Sequence, residues 1–142
     1  MSHSIYFNFI IKSDKLSVYN AITEPEQLEK WWPLKCSGIP KIDETYNFNF
    51  TDEYNWYAKV VSCKQDDHIH YKMTKSDADW DPTTFGFKLK EKENGTCLNF
   101  FHVGWPECNN HYKHSSFCWA MLLKGLKDYL EKGIVIPFED RS

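Results

Sequence analysis

A chain of 142 residues has the length of one domain and can bury a core without staples. Aromatic residues make up 17% of it, more than packing alone needs, which points to an aromatic-lined interior or cavity. The net charge is −3 with no block of like charge, which excludes the basic face that nucleic acid requires.

No stretch approaches the run of about 18 apolar residues that a membrane span needs. The N-terminus, MSHSIYFNFIIKSDK, has no basic region ahead of its apolar stretch, and that stretch alternates. It reads as a strand rather than a signal peptide, so the expected compartment is the cytoplasm. There the five cysteines are expected as reduced thiols. Their odd count and irregular spacing argue against a disulfide framework.

In SIYFNFIIK, period two puts Ile5, Phe7, Phe9 and Ile11 on one face of a half-buried strand. Ser13 or Asp14 then caps a helix with Leu16, Val18, Tyr19 and Ile22 as its apolar positions. EPEQLEKWW starts a second short helix, with Pro25 in the first turn and Pro33 as its end. TYNFNF alternates, with Tyr46, Phe48 and Phe50 facing in. WYAKVVSC and HIHYKM are strands joined across KQDD. TTFGFKLK puts Phe85, Phe87 and Leu89 on one face. Asn94-Gly95 is a hairpin signal, and TCLNFFHV returns with Leu98, Phe100 and His102 on one face. The last element is a long helix from about residue 109 to 132. Cys118, Leu122, Leu126, Tyr129 and Leu130 form its expected apolar stripe, and Gly133 is its stop.

Strands grouped together with helices at the ends predict an α+β domain over 1–133, followed by a C-terminal tail, 134–142. The tail begins IVIPF, too apolar for a loose end. Ile134, Ile136 and Phe138 are expected to dock, either on their own domain or on a second copy, which would make a homodimer.

The order of these elements and several motifs resemble the START/Bet v 1-like (SRPBCC) superfamily of helix-grip proteins. The closer resemblance is to the activator of Hsp90 ATPase C-terminal-domain-like family. It is carried by IKSDKLSVYNAITEPEQLEKWW, by TTFGFKL with NGTCLNFFHVG, and by CWAMLLKGLKDYLEKG, which together cover almost the whole chain. Two departures stand out. Ile42-Asp43-Glu44 replaces a Val-Gly-Gly turn, and Cys118 replaces the glycine before the helix tryptophan. The resemblance implies a curved antiparallel β-sheet wrapped around a long C-terminal α-helix, with two short helices after the first strand and a cavity between sheet and helix. Its members include lipid and polyketide binders, cyclases and co-chaperone domains, so it leaves the activity open.

Candidate residues lining that cavity are Trp32, Tyr46, Phe48, Trp56, Phe85, Phe100, His102, Ser115, Cys118 and Leu122. Apolar burial would bind a hydrophobic or aromatic small molecule, and His102, Tyr46 and Ser115 would orient a polar group. Of the remaining aromatics, Trp31 and Trp32 are expected to divide between core packing and the cavity entrance. A co-chaperone-like interaction module with an Hsp90-type ATPase partner is the alternative, and a cavity enzyme such as a cyclase or hydrolase is the second. No triad, paired-carboxylate motif or phosphate loop is present, so no catalytic residue and no cofactor is assigned. Cys108, His111, His114 and Cys118 form C-x2-H-x2-H-x3-C. Their spacing lacks the paired C-x-x-C of structural zinc sites, so they are read as the polar, aromatic start of the helix rather than a metal site. Asp77, Asp79 and Asp81 lack the glycine and bidentate glutamate of a calcium loop and are read as a solvated acidic loop.

Overall fold

The computed structural model describes residues 2–141. Strand β1 (His3–Ile11) leads into helix α1 (Lys15–Thr23) and the single turn α2 (Pro25–Leu28). Then come β2 (Lys35–Ser37), β3 (Thr45–Asn49), β4 (Asn55–Lys64), β5 (His68–Lys75), β6 (Thr84–Lys92) and β7 (Gly95–Trp105). Helix α3 (Asn110–Lys132) follows, and a 3-10 turn, Phe138–Asp140, lies in the tail.

The strands form one antiparallel sheet in the order β1-β7-β6-β5-β4-β3-β2. Strands β2 to β7 are a meander, and β1 closes on β7, so the first strand and the last are neighbours. The alternation read from the sequence sets the faces. Ile5, Ile11, Tyr46, Phe48, Phe85, Phe87, Leu89, Leu98, Phe100 and His102 are all buried. Tyr6 and Ile10, on the opposite pleat of β1, are exposed. This is the α+β helix-grip arrangement: a sheet whose dry face is covered by the long terminal helix and the short helices after β1.

Local chemistry explains the boundaries. The Asp14 carboxylate accepts the Ser17 N–H (3.3 Å) and hydroxyl (2.6 Å) and caps α1. The Asn109 side chain accepts the Tyr112 N–H (2.9 Å) and caps α3. Gly133 ends α3 in the left-handed region (φ 69°), where glycine pays no steric penalty. In the β6–β7 hairpin, Lys92 pairs with Gly95, so the turn sits on Glu93 and Asn94, one residue earlier than Asn94-Gly95 suggests. Gly95 is nonetheless required: its φ is 144°, and a Cβ there would run into the Ile11 carbonyl oxygen.

Three local expectations are corrected. Leu16 is exposed and Ala21 takes its place in the α1 stripe, because Leu16 lies about 200° round the helix from Val18. Helix α2 ends at Leu28, so Trp31 and Trp32 fall in the following turn, and both are buried. In α3 the buried stripe is Ser115, Trp119, Leu122, Leu123, Gly125 and Leu126; Cys118, Tyr129 and Leu130 flank it.

The tail docks on its own domain. Ile136 reaches Gly125 of α3, and the Arg141 guanidinium donates to the carbonyls of Ile136, Trp32 and Pro33. Ile134, expected to dock, stays exposed with Val135. The chain turns at Gly133, and the first two tail residues run over the surface before Ile136 meets the helix.

Candidate functional site

The dry face of the sheet is filled by rings. Trp119 of α3 packs on Phe100 at 4.5 Å and on Trp32 at 4.9 Å between centroids; Trp32 packs on Phe48 at 4.8 Å and Phe85 at 5.4 Å. Trp31 turns the other way, donating its N–H to the Ala21 carbonyl (2.9 Å) and edging onto Phe87. Trp32 and Trp119 therefore form a partition. On one side is closed core. On the other, a cavity of about 460 Å³ opens.

Four segments bound the cavity. The N-terminal half of α3 gives His111, His114, Ser115, Cys118, Trp119 and Leu122. The β3–β4 hairpin gives Phe50, Tyr54 and Trp56. The β5–β6 loop gives Asp77 and Trp80. The tail gives Phe138, Glu139 and Arg141, and Trp32 completes the wall. Of the ten residues expected to line a cavity, Trp32, Trp56, Ser115, Cys118 and Leu122 are brought together here. Tyr46, Phe48, Phe85, Phe100 and His102 lie behind the partition, each at most 1% exposed. Period two predicts which face a strand residue takes. It does not report that two indoles from elsewhere in the chain cap that face.

The polar groups of Tyr46 and His102 are already engaged. Tyr46 donates its hydroxyl to the Thr23 carbonyl (2.7 Å) and Tyr71 to that of Ile22 (3.0 Å), so two tyrosines satisfy carbonyls at the end of α1. Burial pushes both phenols upward in pKa. His102 has no exposed surface. Its Nδ1 faces the Trp119 Nε1 at 3.0 Å, and an indole N–H can only donate, so Nδ1 is the acceptor. The imidazole proton then sits on Nε2 and is donated to Thr83 Oγ1 (2.8 Å), whose hydroxyl donates to the Trp80 carbonyl (2.6 Å). Every member of this chain has one role, and it fixes His102 as neutral. Burial agrees, drawing its pKa down to about 3.

At the cavity wall, Trp80 reaches the Ser115 Oγ at 3.4 Å and packs on Trp56 at 4.6 Å. His111 is held by Asp79 (Nδ1 to Oδ2, 2.9 Å), with Asp77 at 3.6 Å from Nε2. The acidic loop is thus not simply solvated. The Asp77 carboxylate also takes the N–H groups of Asp79 and Trp80, and Asp81 takes the Ser76 N–H and hydroxyl. His114 faces the Cys118 sulfur at 3.4 Å, while Cys108 is exposed. Among the described residues, no group of three or more His, Cys, Asp or Glu is arranged to hold a metal ion.

Outside the ten expected residues, the wall also takes Phe50, Tyr54, Asp77, Trp80, His111, His114 and Trp119, together with the tail's Phe138, Glu139 and Arg141. Trp119 had a legible signal: it sits four residues after Ser115 and three before Leu122, on the stripe that covers the sheet.

A model of the family described as Activator of Hsp90 ATPase homolog 1-like protein matches residues 15–131. The chain belongs to this family. Its fold is shared by the Aha1 dimer from Colwellia psychrerythraea, at 29% identity and a TM-score of 0.84, over 92% of this chain and 98% of that one. Protein MLL2253 from Mesorhizobium loti superposes with a TM-score of 0.81 at 18% identity, over 94% and 100% of the two chains. Protein SSP2350 from Staphylococcus saprophyticus gives 0.80 at 17%, over 94% and 96%. No curated protein matches the sequence significantly. Among the described residues, no helix is long and apolar enough to cross a membrane.

Proposed function

We propose that this protein binds a hydrophobic, aromatic small molecule in the cavity beside α3. The observation that carries the proposal is the wall itself. Four indoles, Trp32, Trp56, Trp80 and Trp119, with Phe50 and Phe138, share the wall of about 460 Å³ with Ser115, Cys118 and the ionisable Asp77, His111, His114, Glu139 and Arg141. Ligand pockets of roughly 300–1,000 Å³ combine apolar area for affinity with polar groups for orientation. Ring faces favour offset or edge-on stacking with an aromatic guest, worth about 0.5–1.5 kcal/mol per contact beyond burial. On the α3 wall Ser115 lies one turn before Trp119, Cys118 is its neighbour in sequence, and Leu122 lies about one turn after it.

Fluorescence titration with N-phenyl-1-naphthylamine, a neutral probe of two ring systems, tests this. Saturable binding to the wild type is expected, with loss of at least tenfold in affinity for Ser115→Trp, which fills the cavity from α3. Equal binding by both proteins would place the probe elsewhere and remove the support.

A second reading is favoured by the family description and by the 29% identical Aha1 neighbour: an interaction module that meets an Hsp90-type ATPase. Pull-down of a purified Hsp90-type ATPase, with its ATP turnover measured in parallel, tests it. No association and no change in turnover would dismiss it.

A further inference from the structure

The tail brings a cation to a cavity whose wall holds four indoles. Arg141 lines the wall and is 9% exposed. Its Nε donates to the Ile136 carbonyl at 2.8 Å, and its Nη1 lies 3.3 Å from each of the Trp32 and Pro33 carbonyls. These are neutral acceptors. They fix the plane of the guanidinium without cancelling its charge. A guanidinium has five N–H donors, and the two on Nη2 take part in none of these bonds. Among the described residues, no carboxylate comes within 4.0 Å of it. A buried charge with no carboxylate in contact is costly unless something supplies one. Burial accordingly draws the Arg141 pKa below its ordinary value, and Glu139 opposes that shift.

The acidic groups of the same wall do not compete for the role. The Asp77 carboxylate already accepts the N–H groups of Asp79 (3.1 Å) and Trp80 (3.0 Å) and faces His111. Glu139 belongs to the exposed face of the tail, where water screens it. Trp32 offers its ring to the cavity and its carbonyl to Arg141, so the stacking surface and the cation are joined through one residue.

We propose that the cavity selects aromatic or polycyclic acids. The ring system lies against Trp32, Trp56 and Trp119, and a single carboxylate or sulfonate meets the free N–H edge of Arg141. This rests on the ligand-binding reading above and adds the charge of the ligand to it. The planar fork of an arginine suits two-point contact with such an oxyanion. It also makes the tail a working part of the site, since the tail carries the anion partner while the four indoles come from the rest of the chain.

Two probes with the same two ring systems separate the claims: 8-anilinonaphthalene-1-sulfonate and N-phenyl-1-naphthylamine, which differ only in the sulfonate. Both are titrated by fluorescence into the full chain. Arg141→Gln is expected to lower the ratio of sulfonate to neutral affinity by about tenfold or more, the size of a charge-assisted hydrogen bond lost. Arg141→Lys keeps the charge without the fork, so its ratio should lie between those of wild type and Arg141→Gln. An unchanged ratio in Arg141→Gln overturns the inference while the neutral probe's binding keeps the cavity reading intact. Loss of both probes in both variants also overturns it, because Arg141 would then be only a staple for the tail. If the wild type binds neither probe, the ligand-binding reading fails and takes this one with it.

Discussion

Trp119 donates its indole N–H to Nδ1 of His102 at 3.0 Å, and the same indole is a wall of the cavity. The residue that closes the core from the cavity side is therefore anchored by a histidine that can serve it only while neutral. A second proton on His102 would put a donor against a donor.

That sets a direction for pH. The folded-state pKa of His102 is about 3, against an ordinary value of 6.5. Between those values the unfolded chain binds a proton that the folded one refuses. The contribution of His102 is complete above about 6.5 and is lost as pH falls towards 3, at roughly 1.4 kcal/mol per pH unit. The half-buried His70, whose pKa is also lowered by desolvation, adds in the same direction. Urea unfolding at pH 7, 5 and 4 should show wild-type stability falling. His102→Phe should be weaker at pH 7 yet fall less steeply. Parallel slopes would mean that His102 is protonated in the folded state.

Thr83 holds the other nitrogen. Thr83→Val leaves the His102 Nε2–H without its partner in a fully buried place, while the Trp80 carbonyl keeps the Thr83 N–H (2.8 Å). A cost of about 1–3 kcal/mol is expected. Thr83→Ser, which keeps the hydroxyl, should recover most of it. Equal losses in the two variants would point to the methyl group rather than the hydrogen bonds.

In the tail, Ile136 and Phe138 are partly buried while Ile134 is exposed. Truncation after Gly133 should cost about 1–3 kcal/mol in denaturant unfolding. Ile134→Ser should stay within about 0.5 kcal/mol of wild type. A full-cost effect from Ile134→Ser would require an occupant on the exposed side of the tail, such as a second copy of the chain.

Thiol labelling should be staged. Cys108 is exposed, Cys97 is buried, and burial pushes the Cys36 thiol up to about 12. Cys108 is expected to react first with a disulfide reagent, and Cys108→Ser should remove that fast phase. Rapid labelling of Cys36 would contradict its environment.

Much of the fold was legible because its elements obey simple periods. Alternation placed Tyr46, Phe48, Phe85, Phe87, Leu98 and Phe100 on the dry face, and Gly133 marked the end of α3. The edge strand β2 was missed, since three residues, Lys35–Ser37, are too few for a period to register. The candidate site was legible only in part. Trp32, Trp56, Ser115, Cys118 and Leu122 line the cavity, but its floor comes from Arg141, set by hydrogen bonds to carbonyls more than a hundred residues away in sequence. Side-chain type says nothing about such a contact. Nor could a pattern within one strand reveal that Trp119 and Trp32 meet and divide core from cavity.

The most direct measurement of the central claim uses the six tryptophans as reporters. In a 15N-labelled sample titrated with N-phenyl-1-naphthylamine, the indole N–H signals of Trp32, Trp56, Trp80 and Trp119 should move together and saturate. Those of Trp31, bonded to the Ala21 carbonyl, and Trp105, buried outside the cavity wall, should stay in place. Shifts spread evenly over all six, or confined to Trp31 and Trp105, would contradict a ligand site in this cavity.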